Sequence, residues 1–262
     1  MKNHISLFIF AIALLSGPVS ANDLSMTAVK DTLASIPGEH NYIYVRTPLG
    51  EDEEKNYDEI TFYDGLGREL DFAQSYGADR AGAIMAHHHL IEYDSLGRKE
   101  KQWLSTNTSF SYMSPEDLKG GVLWDYHDAG KRSYLQTNYE SSPLNRITEQ
   151  YGVGDAWGDH PARMEYLTNI PADSLRCSFY FIDDNDSLIR RGDYRSGELQ
   201  VTKATDEDGK PTYTFVDKQG RTLLTRLGRG NQQADTYFVF DRFGRIRYVL
   251  PPMINDEISA GN

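Results

Sequence analysis

The residues of this chain best suited to chemistry fall into four groups. His87, His88 and His89 stand together with Glu92 close behind, and imidazole nitrogens with a carboxylate suit zinc or nickel. In an extended segment His87 and His89 share one face while His88 points to the other, so three ligands on one ion would need a loop there. The runs Asp183-Asp184-Asn185-Asp186 and Asp206-Glu207-Asp208-Gly209 offer oxygens of the kind calcium takes. Neither has the glycine and terminal glutamate spacing of a calcium loop, and both read as hairpin tips. Asp155, Asp159 and His160 lie beside Trp157, a set that would suit glycoside hydrolysis only if two carboxylates faced each other about 5–10 Å apart. Cys177, the single cysteine, sits in Cys-Ser-Phe-Tyr-Phe-Ile and reads as a small buried apolar residue rather than a reactive thiol. No nucleophile elbow, P-loop or zincin motif is present. The expectation is a chain with no catalytic residues, no metal and no cofactor.

The remaining composition describes a folded scaffold. At 39% hydrophobic and 12% aromatic residues, the 262-residue chain is too rich in aromatics for disorder and too evenly mixed for a coiled coil. A net charge of −12 provides no basic field, which disfavours nucleic acid and anionic membrane surfaces as partners. Lys2, the apolar run Ile5 to Leu15, the break at Gly17-Pro18 and the small residues Val19 and Ala21 read as a Sec signal peptide over 1–21. That run is too short for the roughly 20 residues a membrane span needs, so the chain is expected to be exported without a transmembrane anchor. Its destination would be the periplasm, the cell surface or the medium. With one cysteine there is no intramolecular disulfide, and the fold must rest on its core.

One signal stands well above background. Asp-x-x-Gly-Arg/Lys occurs five times, as Asp64-Gly67-Arg68, Asp94-Gly97-Arg98, Asp206-Gly209-Lys210, Asp217-Gly220-Arg221 and Asp241-Gly244-Arg245. Chance spacing gives about 0.2 copies, so repetition is the reading to pursue. Degraded copies stand at Asp128-Ala129-Gly130-Lys131 and from Tyr139-Glu140 to Asn145-Arg146. Apolar residues alternate before each Asp and after each Arg, as in Ile60/Phe62 and Leu70/Phe72, which predicts a β-hairpin with the motif at its tip. The Asp would accept backbone amides two residues on, and the Gly would supply a positive φ, with Asn145 as the best substitute for it. The Arg is placed to reach its own Asp or a neighbouring carboxylate, and equally to remain a solvated turn charge. The predicted fold is mostly β: successive antiparallel hairpins forming a curved sheet or partial shell.

Around the hairpins, helical spacing through Leu24, Val29, Leu33 and Ile36 predicts a short N-terminal helix or arm within 22–40. The stretch 47–58 reads as an acidic loop. Ser114-Pro115-Glu116-Asp117 predicts a single helical turn that Gly120-Gly121 ends. The hairpin module spans 41–252, with a possible subdivision near 155–165 and a tail over 253–262.

The Tyr-Asp-x-x-Gly-Arg units resemble the YD repeats of RHS proteins. Asn41-Tyr42-Ile43-Tyr44-Val45-Arg46, the first turn, Ser142-Pro143-Leu144-Asn145-Arg146, Glu149-Gln150-Tyr151-Gly152, Glu165-Tyr166-Leu167-Thr168-Asn169, Val201-Thr202-Lys203 and Leu250-Pro251-Pro252 recur in the order of the segment that precedes the repeats in large secreted RHS proteins of Bacteroidota. The resemblance implies a non-enzymatic β module, the N-terminal cap or packing platform of a polymorphic toxin, whose partners are protein: downstream RHS repeats, an effector or a neighbouring β-edge. The chain carries no long repeat array after residue 252. A truncated or stand-alone product is therefore expected, with open strand edges. The alternative is a carbohydrate-binding or adhesion module using exposed Tyr and Trp on a surface glycan.

Overall fold

The computed structural model describes residues 30–31, 33–34, 36–38, 40–48, 56–78, 84–228 and 233–252. The signal peptide expected over 1–21 and the tail expected over 253–262 lie outside the described residues, as do parts of the expected N-terminal arm and acidic loop. Lys30, Asp31, Leu33 and Ala34 are helical. Among the described residues no helix is long and apolar enough to cross a membrane. The chain folds as two units, one from residues 1–137 and 152–158, the other from 138–151 and 159–262.

The first unit is an antiparallel sheet of hairpins. Its strands are β1 (Asn41–Pro48), β2 (Asn56–Tyr63), β3 (Glu69–Ala78), β4 (Ile84–Tyr93), β5 (Lys99–Trp103), β6 (Thr106–Ser109) and β7 (Tyr134–Tyr139). They pair in the order β1-β2-β3-β4-β5-β7, with β6 joined to β4. Alternation decides the buried face: Ile60, Phe62, Ala73, Ala86 and Phe110 form the core with Ile36. Asp58 lies on this buried face and accepts from Arg46 (2.6 and 2.9 Å) and from the Tyr44 hydroxyl (2.6 Å). This bonding draws β1 and β2 into the stretch expected to be an acidic loop, which is strand at both ends.

Helix α1 (Pro115–Asp125) also departs from expectation. Ser114 caps it as predicted, accepting from the Asp117 amide at 3.1 Å, and Leu118 and Val122 are its buried face. It nevertheless continues through both glycines. A Cβ on Gly121 would stand 2.7 Å from Thr106 Oγ1, so the glycine lets the helix lie close against β6 instead of stopping it.

The second unit is a sheet of β8 (Ile147–Tyr151), β9 (Ala162–Thr168), β12 (Gln200–Thr205), β13 (Pro211–Val216), β14 (Thr222–Leu227), β15 (Ala234–Phe240) and β16 (Ile246–Leu250), each antiparallel to the next. Between β9 and β12 the chain leaves the sheet for a separate hairpin, β10 (Ser178–Ile182) and β11 (Leu188–Asp193). This excursion closes the core. Cys177, Tyr180 and Leu199 pack with Val201, Phe215, Leu224, Tyr237 and Val239, and the Tyr180 and Tyr237 rings meet edge to face at 4.9 Å. Asn169 fixes both ends of the excursion, donating to the carbonyls of Tyr194 (3.4 Å) and Arg195 (2.8 Å) and accepting from the Leu199 amide (2.8 Å). Cys177 is buried as its sequence context predicts, and that burial pushes its thiol up to about 12.

Candidate functional site

The recurring Asp, Gly and Arg residues sit at hairpin tips. In the four Arg-bearing copies the arrangement repeats almost atom for atom. Oδ1 of Asp64, Asp94, Asp217 and Asp241 accepts the amide two residues on at 2.8–2.9 Å and the Arg amide at 2.9–3.0 Å. The other oxygen accepts Nε of Arg68, Arg98 or Arg221 at 2.7 Å, and of Arg245 at 2.9 Å. Gly67, Gly97, Gly209, Gly220 and Gly244 all have φ between 77° and 81°. The lysine copy differs, since Asp206 accepts the Lys210 amide (2.7 Å) but the Lys210 ammonium turns to Asp208 (3.1 Å). A lysine on its flexible stem does not lie flat along its own turn as the planar guanidinium does.

Two further tips have the same logic in altered residues. Asp183 accepts the amides of Asn185 (3.0 Å) and Ser187 (2.8 Å), with Asp186 at φ 63° in the glycine position. The acidic run read as a hairpin tip is thus a further turn of the repeat. In the Tyr139 copy, Asn145 has φ 55°, and Glu140 takes the place of Asp with both oxygens on Arg146 at 2.7 and 2.9 Å. The degraded copy at Asp128 is no hairpin: Gly130 follows a 3-10 turn, and the amides of Lys131 and Arg132 donate to Asp155 at 3.2 and 3.1 Å.

Beyond the turn, Arg68, Arg146 and Arg221 reach the next strand. The Arg68 guanidinium lies over the Tyr93 ring at 4.5 Å, Arg146 over Tyr166 at 4.6 Å and Arg221 over Phe240 at 5.0 Å. In two of these the tyrosine hydroxyl returns a bond to the residue after the arginine: Tyr93 to the Glu69 carbonyl at 2.7 Å, Tyr166 to the Ile147 carbonyl at 3.1 Å. Tyr166 lies within β9, whereas at Tyr93 and Phe240 the aromatic residue before the turn is the seat for the previous hairpin's arginine. Its sequence signal was the aromatic-Asp dipeptide itself.

The close fit makes one glycine more costly to replace than another. Alanine at Gly209 meets nothing within 4 Å, so only its φ of +79° opposes it, about 1–2 kcal/mol. At Gly97 the added Cβ would also stand 3.1 Å from Arg68 Nη1 and lift the guanidinium from Tyr93. Gly97→Ala is expected to destabilise its unit by roughly 1 kcal/mol more than Gly209→Ala destabilises the other, measured by denaturant unfolding of each variant.

The turn carboxylates also set an acid limit. The Arg68 amide and then its guanidinium hold Asp64 below the usual carboxylate range, the Arg245 amide does the same for Asp241, and the Arg146 guanidinium holds Glu140 at about 2. A depressed carboxylate pKa contributes stability that is present above the unfolded-state value and is lost as pH falls through the folded one. Stability is therefore expected to decline from about pH 4.5 towards pH 2, and a side-chain NMR titration should place the Glu140 midpoint near 2. A Glu140 midpoint at its ordinary value would mean that the Arg146 pair is not formed in solution.

The other sequence candidates are dispersed. His88 is buried, with Nδ1 2.7 Å from Asp71 Oδ2 and Nε2 3.0 Å from the Ser109 carbonyl, while His87 and His89 occupy the opposite face as the alternation requires. Among the described residues no group of three or more His, Cys, Asp or Glu side chains is placed to hold a metal ion. Asp155 serves as a loop tie, its two oxygens taken by the Lys131 and Arg132 amides. Trp103 is half-buried against Tyr134, its indole donating to Glu92 at 3.2 Å, whereas Trp124 is 82% and Trp157 46% exposed.

Comparison with known proteins adds a family match over part of the chain. The family described as a domain of unknown function (DUF6443) matches residues 41–168, less than half of the chain. Among curated proteins none matches. The structure is similar to a solved chain titled "Crystal Structure of TcdB2-TccC3-TEV", with a TM-score of 0.49 and 13% identity over 91% of this chain and 12% of that one. This chain thus spans about an eighth of the length of that protein.

Proposed function

We propose that this chain is an exported, non-catalytic β-hairpin module of RHS type that serves as the N-terminal cap or packing platform of a polymorphic toxin, or stands alone as a remnant of one. The observation that carries the reading is the use made of the repeated polar residues: Arg68 and Arg221 are each bound to their own Asp and laid on the next strand's aromatic ring. The most recurrent charged residues are spent on joining one hairpin to the next. Such a module presents strands, and its natural partner is protein.

The test is an immunoblot against this segment on cytosolic, periplasmic, envelope and medium fractions of the native cells. A band outside the cytosol and far heavier than 29.7 kDa is expected for the leading module of a larger toxin. A mature-size band outside the cytosol that co-migrates with other protein on a native gel supports the stand-alone form. A band confined to the cytosol would overturn export, and a mature-size band with no associated protein would overturn the platform.

A second reading, glycan binding, is favoured by the exposure of Trp124 and Trp157. It requires that Trp124→Ala abolish retention on a glycan array without changing the fold.

A further inference from the structure

We propose that Asn185, at the tip of the β10–β11 hairpin, accepts an N-linked glycan from an oligosaccharide carried on a polyprenyl diphosphate at the exported side of the membrane. The inference rests on the export reading and adds a modification site and the class of its donor. Two Asn-x-Ser/Thr triplets stand in the sequence without proline, Asn107-Thr108-Ser109 and Asn185-Asp186-Ser187. This is the pattern that such transferases read, and it belongs on exposed loops. A triplet alone is common, so its setting decides.

The structure separates the two. Asn107 lies inside β6, held opposite His87 of β4, with its backbone amide 3.4 Å from Asp125 Oδ2. The Ser109 hydroxyl is bonded to that of Ser111 at 2.9 Å, and the Ser109 carbonyl faces His88 Nε2 at 3.0 Å. A transferase must draw the asparagine and the hydroxyl two residues on into one cleft, which here would unzip a paired strand. At the other triplet Asn185, Asp186 and Ser187 are all exposed on a chain reversal. The Asn185 side-chain nitrogen reaches only Asp183 Oδ2, at 3.5 Å, the outer limit of a hydrogen bond. The Ser187 hydroxyl has no partner among the described residues.

Comparison with the other tips shows what this one has given up. Asn185 and Ser187 stand where the first copy has Leu66 and Arg68, and Arg68 is bound to its own Asp. Asp183 still accepts the amides of Asn185 and Ser187 at 3.0 and 2.8 Å, so the turn uses their backbone and leaves both side chains to the outside. Asp186, between them, anchors the tip to β16: its carboxylate pairs with Arg247 and its carbonyl accepts from the Tyr248 hydroxyl at 3.1 Å. The tip is thus fixed in place while the acceptor amide and its hydroxyl stay available. In the transfer, the bond between the sugar C1 and the diphosphate oxygen breaks and C1 bonds to Asn185 Nδ2. The amide yields one proton to a base of the transferase, and the polyprenyl diphosphate leaves with the electron pair.

The test is fragment-ion mass spectrometry of the full chain recovered from the exported fractions of native cells. The peptide containing Asn185 should carry a glycan mass, and the peptide containing Asn107 none. Asn185→Gln and Ser187→Ala should each abolish that mass while unfolding at the parent's urea concentration, and Ser187→Thr, which keeps the hydroxyl, should retain it. An exported chain with a bare Asn185 would overturn the proposal and leave export standing. A chain confined to the cytosol would overturn export and this inference with it. A glycan that persists in Asn185→Gln would lie on a hydroxyl instead and would overturn the asparagine as acceptor.

Discussion

Arg226→Met is expected to destabilise the second unit by about 3–5 kcal/mol, the usual cost of stranding one member of a buried ion pair. Arg226 is 3% exposed and binds both oxygens of Asp235, at 2.7 and 2.5 Å. Its Nη1 donates to the carbonyls of Ser174 and Arg176 at 3.0 and 2.9 Å, and its guanidinium lies 5.6 Å from the Phe215 ring. One side chain thus ties β14, β15 and the loop leading into the excursion. Methionine fills the volume but leaves a carboxylate without its guanidinium and two carbonyls without their donor. Urea unfolding followed by circular dichroism measures the loss. The double variant Arg226→Met/Asp235→Leu should recover part of it, because the stranded charge is gone while the two carbonyls still lack a partner.

His88→Leu should cost the first unit a comparable amount, about 3–5 kcal/mol, for a related reason. Both ring nitrogens face acceptors, the Asp71 carboxylate and the Ser109 carbonyl. Asp71 is 3% exposed and its Oδ1 is buried with no partner among the described residues. Removing the imidazole abandons that carboxylate in the core and takes away one side-chain contact between β4 and β6, whose backbone pairing remains. Since the pair is already incompletely bonded, Asp71→Leu/His88→Leu should regain most of the stability lost by the single change. If His88→Leu unfolds at the same urea concentration as the parent, the buried pair is not formed.

How far the sequence discloses this molecule depends on how far apart the interacting residues lie. The turns were legible because every atom of the Asp-x-x-Gly-Arg unit that bonds lies within five residues, and Asn145 was legible because few other side chains tolerate its φ. The turn at Asp183 reads only as a tip, since Asp186 and Ser187 replace Gly and Arg and erase the pattern while keeping the geometry. The opposed faces of His87 and His88 follow from strand periodicity, but the partner of His88 is 17 residues away and needs the β3–β4 register. The same holds for Arg68 on Tyr93, 25 residues on, and for Arg226, whose partners span β15 and a loop some 50 residues earlier. Gly120-Gly121 misled because a pair of glycines resembles a helix stop, whereas one of them is a point of close approach to Thr106.

The repeat joins one hairpin to the next, and a double-mutant cycle on Arg68 and Tyr93 tests that most directly. With Arg68→Ala, Tyr93→Ala and the double variant measured by urea unfolding, the coupling energy should be on the order of 1 kcal/mol, the worth of a cation over a ring, since the Tyr93 hydroxyl bond to the Glu69 carbonyl cancels from the cycle. Tyr93→Phe should keep most of it, as Phe240 does for Arg221. Additive effects, with no coupling beyond error, would mean that the arginines are solvated turn charges and that nothing but strand pairing holds one hairpin to the next.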